Sequence, residues 1–271
     1  VSASPEKTTI VKDDSKRAIT SYNLENFSNN TSQTSNDKAQ KLARAFAIDM
    51  DSPDIIGVTE VQDNNGTNAG DSAAKESYER LIQAIVDAGG PRYDYLNIDP
   101  INNEDGGAPN ANIRVGFLYN SERVSLPEDI SAGDATTAVG YENGKLTLNP
   151  GRIDPTNAAF NSSRKPLVAQ FKFQDEDVIV LVNHWNSKSG DTPLFGATQP
   201  PVYDSENQRK QIAQIVYKFV EDIKMKNPNA NIVSVGDFND YQFAQALKIH
   251  EGQLMTNMIN KVETSDRYTY L

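Results

Sequence analysis

Residues 232–242 read IVSVGDFNDYQ, a stretch that joins a buried-strand pattern to a group of polar side chains. The apolar run ends at Gly236, and Asp237, Asn239 and Asp240 follow directly. The run predicts a strand, because short apolar segments bounded by glycine and polar residues are typical of buried strands. The polar residues have two interpretations: an ordinary loop, or one wall of a functional site.

The composition excludes several classes of protein. The chain has 271 residues, of which 37% are hydrophobic and 23% are charged, as in a globular protein with a well-buried core. No apolar run approaches the roughly 18 residues of a membrane span, so we predict no membrane insertion. The absence of cysteine excludes disulfides and thiolate metal sites. Nothing in the composition indicates a stable protein partner.

The charge of the chain is strongly acidic. The formal net charge is −11 and the isoelectric point is about 4.7. A nonspecific nucleic-acid binder usually carries a basic surface, so this chain would need a local basic patch or metal ions to approach DNA or RNA. The acidic balance therefore argues against a nucleic-acid binding module more than against a metal-dependent hydrolase.

Helix and strand patterns alternate along the chain. They predict a single α/β domain over residues 18–271 behind a polar lead-in, residues 1–17. An Asn or Asp at the end of NFSNNTSQTSND is expected to cap the helix KAQKLARAFAIDM. The other predicted helices are KESYERLIQAIVDAGG and SENQRKQIAQIVYKFVEDIKMK, and the predicted strands are AITSYNL, PDIIGVTEV, RYDYLNI, IRVGFLY, KPLVAQFKF, DVIVLVNHW and IVSV.

Polar side chains stand at the ends of four predicted strands. They are Asn23, Glu60, the group Asn183, His184 and Asn186, and the pair Asp237 and Asn239. One such residue is usually a turn or cap, but four strand ends of this kind point to a common site, because ligands meet sheets at strand ends. Carboxylates and amides without cysteine suit a hard cation such as Mg²⁺, with Mn²⁺ or Ca²⁺ as alternatives.

The two histidines have different neighbours. His184 follows an apolar strand and stands close to Asn186 and Lys188 in the sequence, so a structural and a functional role both stay open. His250 lies in the helical pattern FAQALKIHEG without such neighbours, and we expect it to be structural. Asp240 is expected to be a loop or cap residue.

Six short motifs follow one another in a recognisable order: SYNLENF, IIGVTEVQ, NIRVGFLYN, SRKPLVAQF, VNHWNSKSGD and VGDFND. In this order they resemble the endonuclease/exonuclease/phosphatase superfamily, which has the DNase I-like fold, and within it the secreted or surface-attached bacterial nucleases. Three longer stretches typical of that subgroup are also present: DGGAPNANIRVGFLYN, LNPGRIDPTNAAF and SKSGDTPLFGATQPP. The resemblance extends over residues 18–271.

The resemblance implies both a fold and an activity. The fold is a four-layered α/β sandwich, in which two mixed β-sheets pack face to face with helices outside. The activity is that of a metal-dependent nuclease, which hydrolyses phosphodiester bonds of DNA, with RNA as an alternative substrate, by attack of a metal-activated water. Mg²⁺ is the expected cofactor, and the expected location is secreted or at the cell surface.

By motif position the resemblance also assigns roles to catalytic residues. Glu60 is similar to the family's metal-binding glutamate, and Asn23 to the asparagine of the metal and phosphate shell. Asp237 and Asn239 resemble the pair that orients the nucleophilic water and holds a phosphate oxygen. His184 resembles the histidine that protonates the leaving oxygen or steadies the developing charge.

Four further side chains are candidates for binding substrate phosphate. Arg164 resembles the arginine that reaches the phosphate. Arg114 has two interpretations, either a phosphate contact or an ion pair with a strand-end carboxylate. Asn186 and Lys188 are candidates because they follow His184 closely.

The end of the sequence departs from the family pattern. The family continues beyond the equivalent of TSDRYTYL with a strand carrying an Asp and a terminal Ser-Asp-His motif, and neither occurs here. We therefore expect the last strands to be absent, a sheet edge to be open, and a chain that ends at Leu271 to have little or no activity. The explanations are a fragment of a longer chain, which we favour, a segment that completes the site in trans, or a noncatalytic relative.

Two alternatives to a nuclease stay open. A phosphatase or phosphodiesterase of the same fold, acting on nucleotides, inositol phosphates or phospholipid headgroups, would use the same phosphate-handling residues. A noncatalytic binding domain would keep the scaffold without the terminal motif. The subgroup stretches favour the nuclease.

Overall fold

The computed structural model describes residues 6–189, 191–192, 195–264 and 267. The chain forms two compact units. The first contains Val1–His184 and Ala230–Asp237, and the second contains Trp185–Asn229 and Phe238–Leu271.

The first unit contains the β-strands. They are β1 Ile19–Phe27, β2 Ile55–Val61, β3 Asp94–Leu96, β4 Arg114–Tyr119, β5 Tyr141–Glu142, β6 Lys145–Leu146, β7 Gly151–Arg152, β8 Leu167–Phe173, β9 Glu176–His184 and β10 Ile232–Asp237. Two four-stranded sheets have the orders β1-β2-β4-β3 and β10-β9-β8-β7, and β5 pairs with β6. The strands predicted from apolar runs are confirmed.

Each sheet contains one parallel pair of strands. In the first sheet β1 runs parallel to β2, with Asn23 opposite Thr59. In the second sheet β10 runs parallel to β9, with Asp237 opposite His184. Because parallel strands end at the same edge of a sheet, each pair brings its carboxyl-terminal side chains together.

The two sheets of the first unit pack face to face. Apolar side chains of β2 and β4 meet those of β8 and β9 in one core, where the rings of Phe117 and Phe171 lie edge to face 5.6 Å apart. Gly57 of β2 lies in this contact. A Cβ atom there would stand 2.8 Å from Val235 Cγ2 and 3.0 Å from Val182 Cγ2, so only glycine fits at this separation of the sheets.

Two helices cover the outer face of the first sheet. They are α1, Asn36–Arg44, which continues as a π-helical turn over Ala45–Asp49, and α2, Lys75–Asp87. Their apolar faces pack against β1, β2 and β4 in a second core. Ser35 caps α1, because its side chain accepts a hydrogen bond from Lys38 N. The expectation of an Asn or Asp cap is therefore wrong by one residue. The predicted α/β sandwich, with two packed mixed sheets and flanking helices, is confirmed.

Part of the predicted lead-in is hydrogen-bonded to the rest of the first unit. Thr8 N donates to Asp49 O, and Lys12 Nζ donates to Ser52 O. Residues 1–5 of this segment lie outside the described residues. The domain limits that the sequence indicates stay a prediction.

Among the described residues, β1 and β10 each pair with a strand on one side only. All six residues of β10 are partly exposed. The stretch TSDRYTYL, on which the prediction of absent strands rests, lies mostly outside the described residues, which omit 265–266 and 268–271.

The second unit is helical where it has regular structure. Its helices are α3, Asp204–Lys226, and α4, Gln245–Glu251, with a 3₁₀ turn over Met258–Lys261. Trp185, Phe238 and His250 form an aromatic cluster with centroid separations of 4.8 to 5.7 Å. Throughout the described residues, every helix is too short or too polar to cross a membrane.

Candidate active site

Four of the predicted strand-end residues meet in the first unit. Asn23 lies on β1, Glu60 near the end of β2, His184 at the end of β9 and Asp237 at the end of β10. The parallel pairing of β1 with β2, and of β9 with β10, accounts for the proximity within each sheet. The contacts described next join the two sheets.

The amide of Asn23 links the two carboxylates. Its Nδ2 donates to Glu60 Oε1 at 3.0 Å and to Asp237 Oδ2 at 3.1 Å. Its Oδ1 accepts a hydrogen bond from Glu25 N at 2.8 Å. The two carboxylates therefore accept hydrogen bonds from one neutral donor. A carboxylate at position 23 would instead add a third negative charge to the site.

Glu60 is positioned by an irregularity in β2. The register of β2 against β4 shifts between Val58 and Val61, and Glu60 has a φ of 58°, in the left-handed region. A bulge of this kind redirects one side chain out of the regular alternation of a strand, and strained backbone of this kind is frequent at functional sites. Here it places the Glu60 carboxylate against Asn23.

His184 is buried beside this carboxylate pair. Its Nε2 lies 3.8 Å from Glu60 Oε1. Burial, and to a smaller extent the charge of Arg164, lower the pKa of His184 to about 4, although the charge of Asp237 opposes the shift. The imidazole is therefore neutral at neutral pH and carries one N–H donor.

Arg164 is a cation that interacts electrostatically with the carboxylates of the site. Burial lowers the pKa of its guanidinium, while the charges of Glu60, Asp105 and Asp237 raise it. A guanidinium keeps its proton under such conditions, so Arg164 supplies a fixed positive charge close to both carboxylates.

Arg114 is bound inside the first unit. It is only 1% exposed, and its Nη1 donates to Asp99 Oδ1 at 2.7 Å. Its Nε donates to Asn112 O at 3.0 Å, and its Nη2 donates to Ser72 O. Of its two interpretations the structure shows the ion pair, and because the guanidinium is enclosed we do not assign it a phosphate contact, which stays a prediction.

The remaining predicted site residues belong to the second unit. Asn239 Nδ2 donates to Trp185 O at 2.7 Å, and Asn186 Nδ2 donates to Ser205 O at 3.3 Å. Lys188 Nζ lies 3.2 Å from Asp240 Oδ1. Their predicted roles toward phosphate stay predictions.

Comparisons with known proteins point to one superfamily. The model of the Endonuclease/Exonuclease/phosphatase family matches residues 147–262. The catalytic domain of human nocturnin, solved with a bound sulfate anion, is similar with a TM-score of 0.50 at 10% identity, over 88% of this chain and 69% of that chain. The resemblance to the endonuclease/exonuclease/phosphatase superfamily is confirmed.

Two other solved structures are similar to this chain at lower scores. Beta toxin from Staphylococcus aureus with bound magnesium ions has a TM-score of 0.48 at 15% identity, over 88% of this chain and 70% of that chain. TDP2 from D. rerio complexed with a single-strand DNA product has a TM-score of 0.46 at 16% identity, over 86% of this chain and 64% of that chain. The chain therefore spans less than two thirds of that TDP2 structure. The comparison with curated proteins found no match.

The superfamily implies a divalent metal, and the donors at the site fit one. The carboxylates of Glu60 and Asp237 converge, and the Oδ1 of Asn23 keeps a second lone pair. Mg²⁺ accepts one or two carboxylates and retains several waters, so a full cage of side chains is not required. This matters because the described residues contain no group of three His, Cys, Asp or Glu that could hold an ion.

One ion cluster near Arg164 was not expected from the sequence. Asp105 accepts from Arg152 Nη2 at 2.9 Å and lies 2.8 Å from Lys165 Nζ, with all three side chains buried. We call these residues the closed cluster. Gly106, with a φ of 73°, packs so tightly that its Cβ would stand 2.2 Å from Ser162 O. The loops that carry Asp105 and Arg164 are thus joined, and two of the subgroup stretches, DGGAPNANIRVGFLYN and LNPGRIDPTNAAF, meet there.

A second ion cluster surrounds Asp240, which lies in a loop as expected from the sequence. Its side chain is 5% exposed, and its Oδ2 accepts from Arg209 Nε at 3.2 Å while its Oδ1 faces Lys188. We call Asp240, Arg209 and Lys188 the open cluster, because Lys188 is 43% exposed. Local sequence could not reveal it, since Arg209 comes from α3, more than thirty residues earlier.

Proposed function

We propose that this chain is a metal-dependent nuclease that hydrolyses phosphodiester bonds of DNA, with RNA as an alternative substrate. The observation that supports the proposal is the convergence of Glu60 and Asp237, from two different sheets, on the amide of Asn23. The subgroup stretches favour a nuclease over a phosphatase. A secreted or cell-surface location belongs to the same proposal and rests on the family resemblance.

Each group has a distinct part in the proposed reaction. Glu60 and Asn23 would hold the divalent cation, which when bound supplies charge neutralisation at phosphate and an activated water. Asp237 accepts the proton of the water whose oxygen bonds to phosphorus. Arg164 binds a nonbridging oxygen, and the N–H of His184 steadies the charge on the oxygen that leaves.

A substrate panel tests this proposal. Supercoiled plasmid is incubated with Mg²⁺, Mn²⁺, Ca²⁺ or EDTA, beside nucleotides and phospholipid headgroup esters. Both residues 1–271 and the product of the complete reading frame are assayed. We expect metal-dependent nicking by the product of the complete reading frame and little or none by residues 1–271. Hydrolysis of small phosphoesters with intact plasmid would favour the phosphatase, and no hydrolysis by either protein would favour the noncatalytic relative.

Isosteric variants test the assigned residues. Asp237→Asn and Glu60→Gln should each lower the nicking rate by about 100-fold or more, the range expected for loss of a proton-transfer or metal-binding group. The matched control is Glu79→Gln, because Glu79 is an exposed glutamate of α2 that pairs with Lys75. Near-parental rates in both site variants would contradict the assignment.

A further inference from the structure

Two aromatic rings are exposed side by side in the second unit. Tyr241 is 52% exposed and Phe243 is 67% exposed. Their rings are parallel, with an interplanar angle of 7° and centroids 5.3 Å apart. Single exposed apolar residues are normal, but a grouped pair of aromatic faces in water indicates a binding surface. We call Tyr241 and Phe243 the aromatic pair.

The turn that carries the aromatic pair is fixed by hydrogen bonds. Tyr241 N donates to Asp240 Oδ1 at 3.0 Å, and Ala244 N donates to Tyr241 O at 2.9 Å. Asp240 is itself held by the open cluster, and α4 begins directly after Ala244. The backbone beneath the rings is therefore ordered before a ligand arrives, which lowers the entropic cost of binding.

A cation accompanies the aromatic pair. Lys188 Nζ lies 3.9 Å from the centroid of the Tyr241 ring. Lys188 is also the exposed member of the open cluster, so its ammonium can reach a solvent-borne anion beside the rings. Flat aromatic faces next to a positive charge match a ligand that carries aromatic rings and phosphates in alternation.

We propose that the aromatic pair and Lys188 form a stacking subsite for unpaired bases of single-stranded nucleic acid. The rings would stack on one or two bases, and Lys188 would face an adjacent phosphate. Bases within a duplex are covered on both faces by their neighbours, so the subsite favours single strands over duplex. Stacking tolerates any base, and the subsite therefore gives strand preference without sequence preference. The inference rests on the proposed nuclease function and adds a substrate form to it.

Binding is measured by fluorescence anisotropy in EDTA, which prevents cleavage. The probes are labelled oligo-dT of about 12 nucleotides and a duplex of the same length. The Tyr241→Ala/Phe243→Ala variant should bind oligo-dT about tenfold or more weakly, with a change below about threefold for duplex. Tyr241→Phe/Phe243→Tyr retains both rings and should bind oligo-dT like the parent. Met258→Ala is the matched control, because Met258 is an exposed apolar residue of the same unit.

Salt dependence separates the rings from the lysine. Loss of the rings removes no charge, so the slope of log affinity against log salt should stay unchanged in the double alanine variant. Lys188→Met should reduce the slope for oligo-dT by about 0.7, the value for one phosphate contact on a single strand. An unchanged slope in Lys188→Met would overturn the assigned role of the lysine.

Several results would overturn the stacking subsite. They are oligo-dT affinity within twofold of the parent in the double alanine variant, an equal loss for duplex, and a loss in the ring-retaining variant. If the parent nicks plasmid while the double alanine variant binds normally, the subsite alone fails. If the parent neither cleaves nor binds nucleic acid, the proposed function fails with it. Should thermal melting show that the double variant is unfolded, Phe243→Ala alone carries the test.

Discussion

The closed cluster and the open cluster use the same three residue types in different surroundings. Each places one aspartate between an arginine and a lysine, at 2.8 to 2.9 Å in the closed cluster and at 3.2 Å in the open one. Lys165 of the closed cluster is 9% exposed, whereas Lys188 of the open cluster is 43% exposed. The difference indicates that the closed cluster stabilises loops around Arg164, while the open cluster keeps one cation available to solvent.

Removal of the central charge of the closed cluster, the Asp105 carboxylate, should give the largest loss of stability. Asp105→Asn leaves two buried cations without their shared carboxylate, so we expect the free energy of unfolding to fall by about 3 to 5 kcal/mol. Urea denaturation measures this loss. The control is Asp129→Asn, since Asp129 is exposed and the substitution keeps its size. A loss below about 1 kcal/mol would mean that the closed cluster is not structural.

Acid should destabilise the unit that carries the open cluster. Burial lowers the pKa of His250 to about 4 from its ordinary value of 6.5. Between these values the unfolded chain binds a proton that the folded chain excludes, so stability falls as the pH drops from 6.5 to 4. Above pH 6.5, His250 does not affect the stability. The full shift corresponds to about 3 kcal/mol.

The His250→Phe variant measures this contribution, because phenylalanine preserves the contact with Trp185 and Phe238. Urea denaturation at pH 7 and at pH 4.5 should show a smaller acid loss in the variant than in the parent. Equal losses would show that His250 is already charged in the folded chain.

Lys165 and Lys188 provide the most direct test of the difference between the closed cluster and the open cluster. Lys165→Met leaves Asp105 with one cation in a buried site and should lower the free energy of unfolding by about 2 to 3 kcal/mol. Lys188→Met should lower it by less than about 1 kcal/mol, as expected for a partly exposed ion pair. Equal losses in urea denaturation would remove the distinction between the clusters.

Much of the scaffold could be predicted from local patterns. The strands β2, β9 and β10 follow from apolar runs, and Asn23, Glu60, His184 and Asp237 could be singled out because polar residues at strand ends share a sheet edge. The hydrogen bonds from Asn23 to Glu60 and Asp237 could not be predicted, since they depend on the distance between the two sheets. The left-handed backbone of Glu60 could not either, because glutamate has no preference for that conformation.

The ion clusters were beyond sequence reasoning for a different reason. Asp105 and Lys165 come from two loops and Arg152 from strand β7, and no periodic pattern connects positions so far apart. Asp240 stands in a stretch that reads as a loop, where aspartate is usually exposed. Arg114 left two interpretations open, because an arginine on a strand can face a ligand or a buried carboxylate with equal sequence support.

Gly57 permits the close separation of the two sheets at one point. Glu60 lies three residues after Gly57 on β2, while His184 and Asp237 each lie two residues after the valines that face that glycine, Val182 and Val235. The separation of the sheets at this one point is therefore also the separation of the two halves of the candidate site. A methyl group added at Gly57 would push the sheets apart, because the valine side chains could move by only tenths of an ångström. The two halves of the site would then move apart as well. Under the proposed function, activity would therefore be lost before the fold.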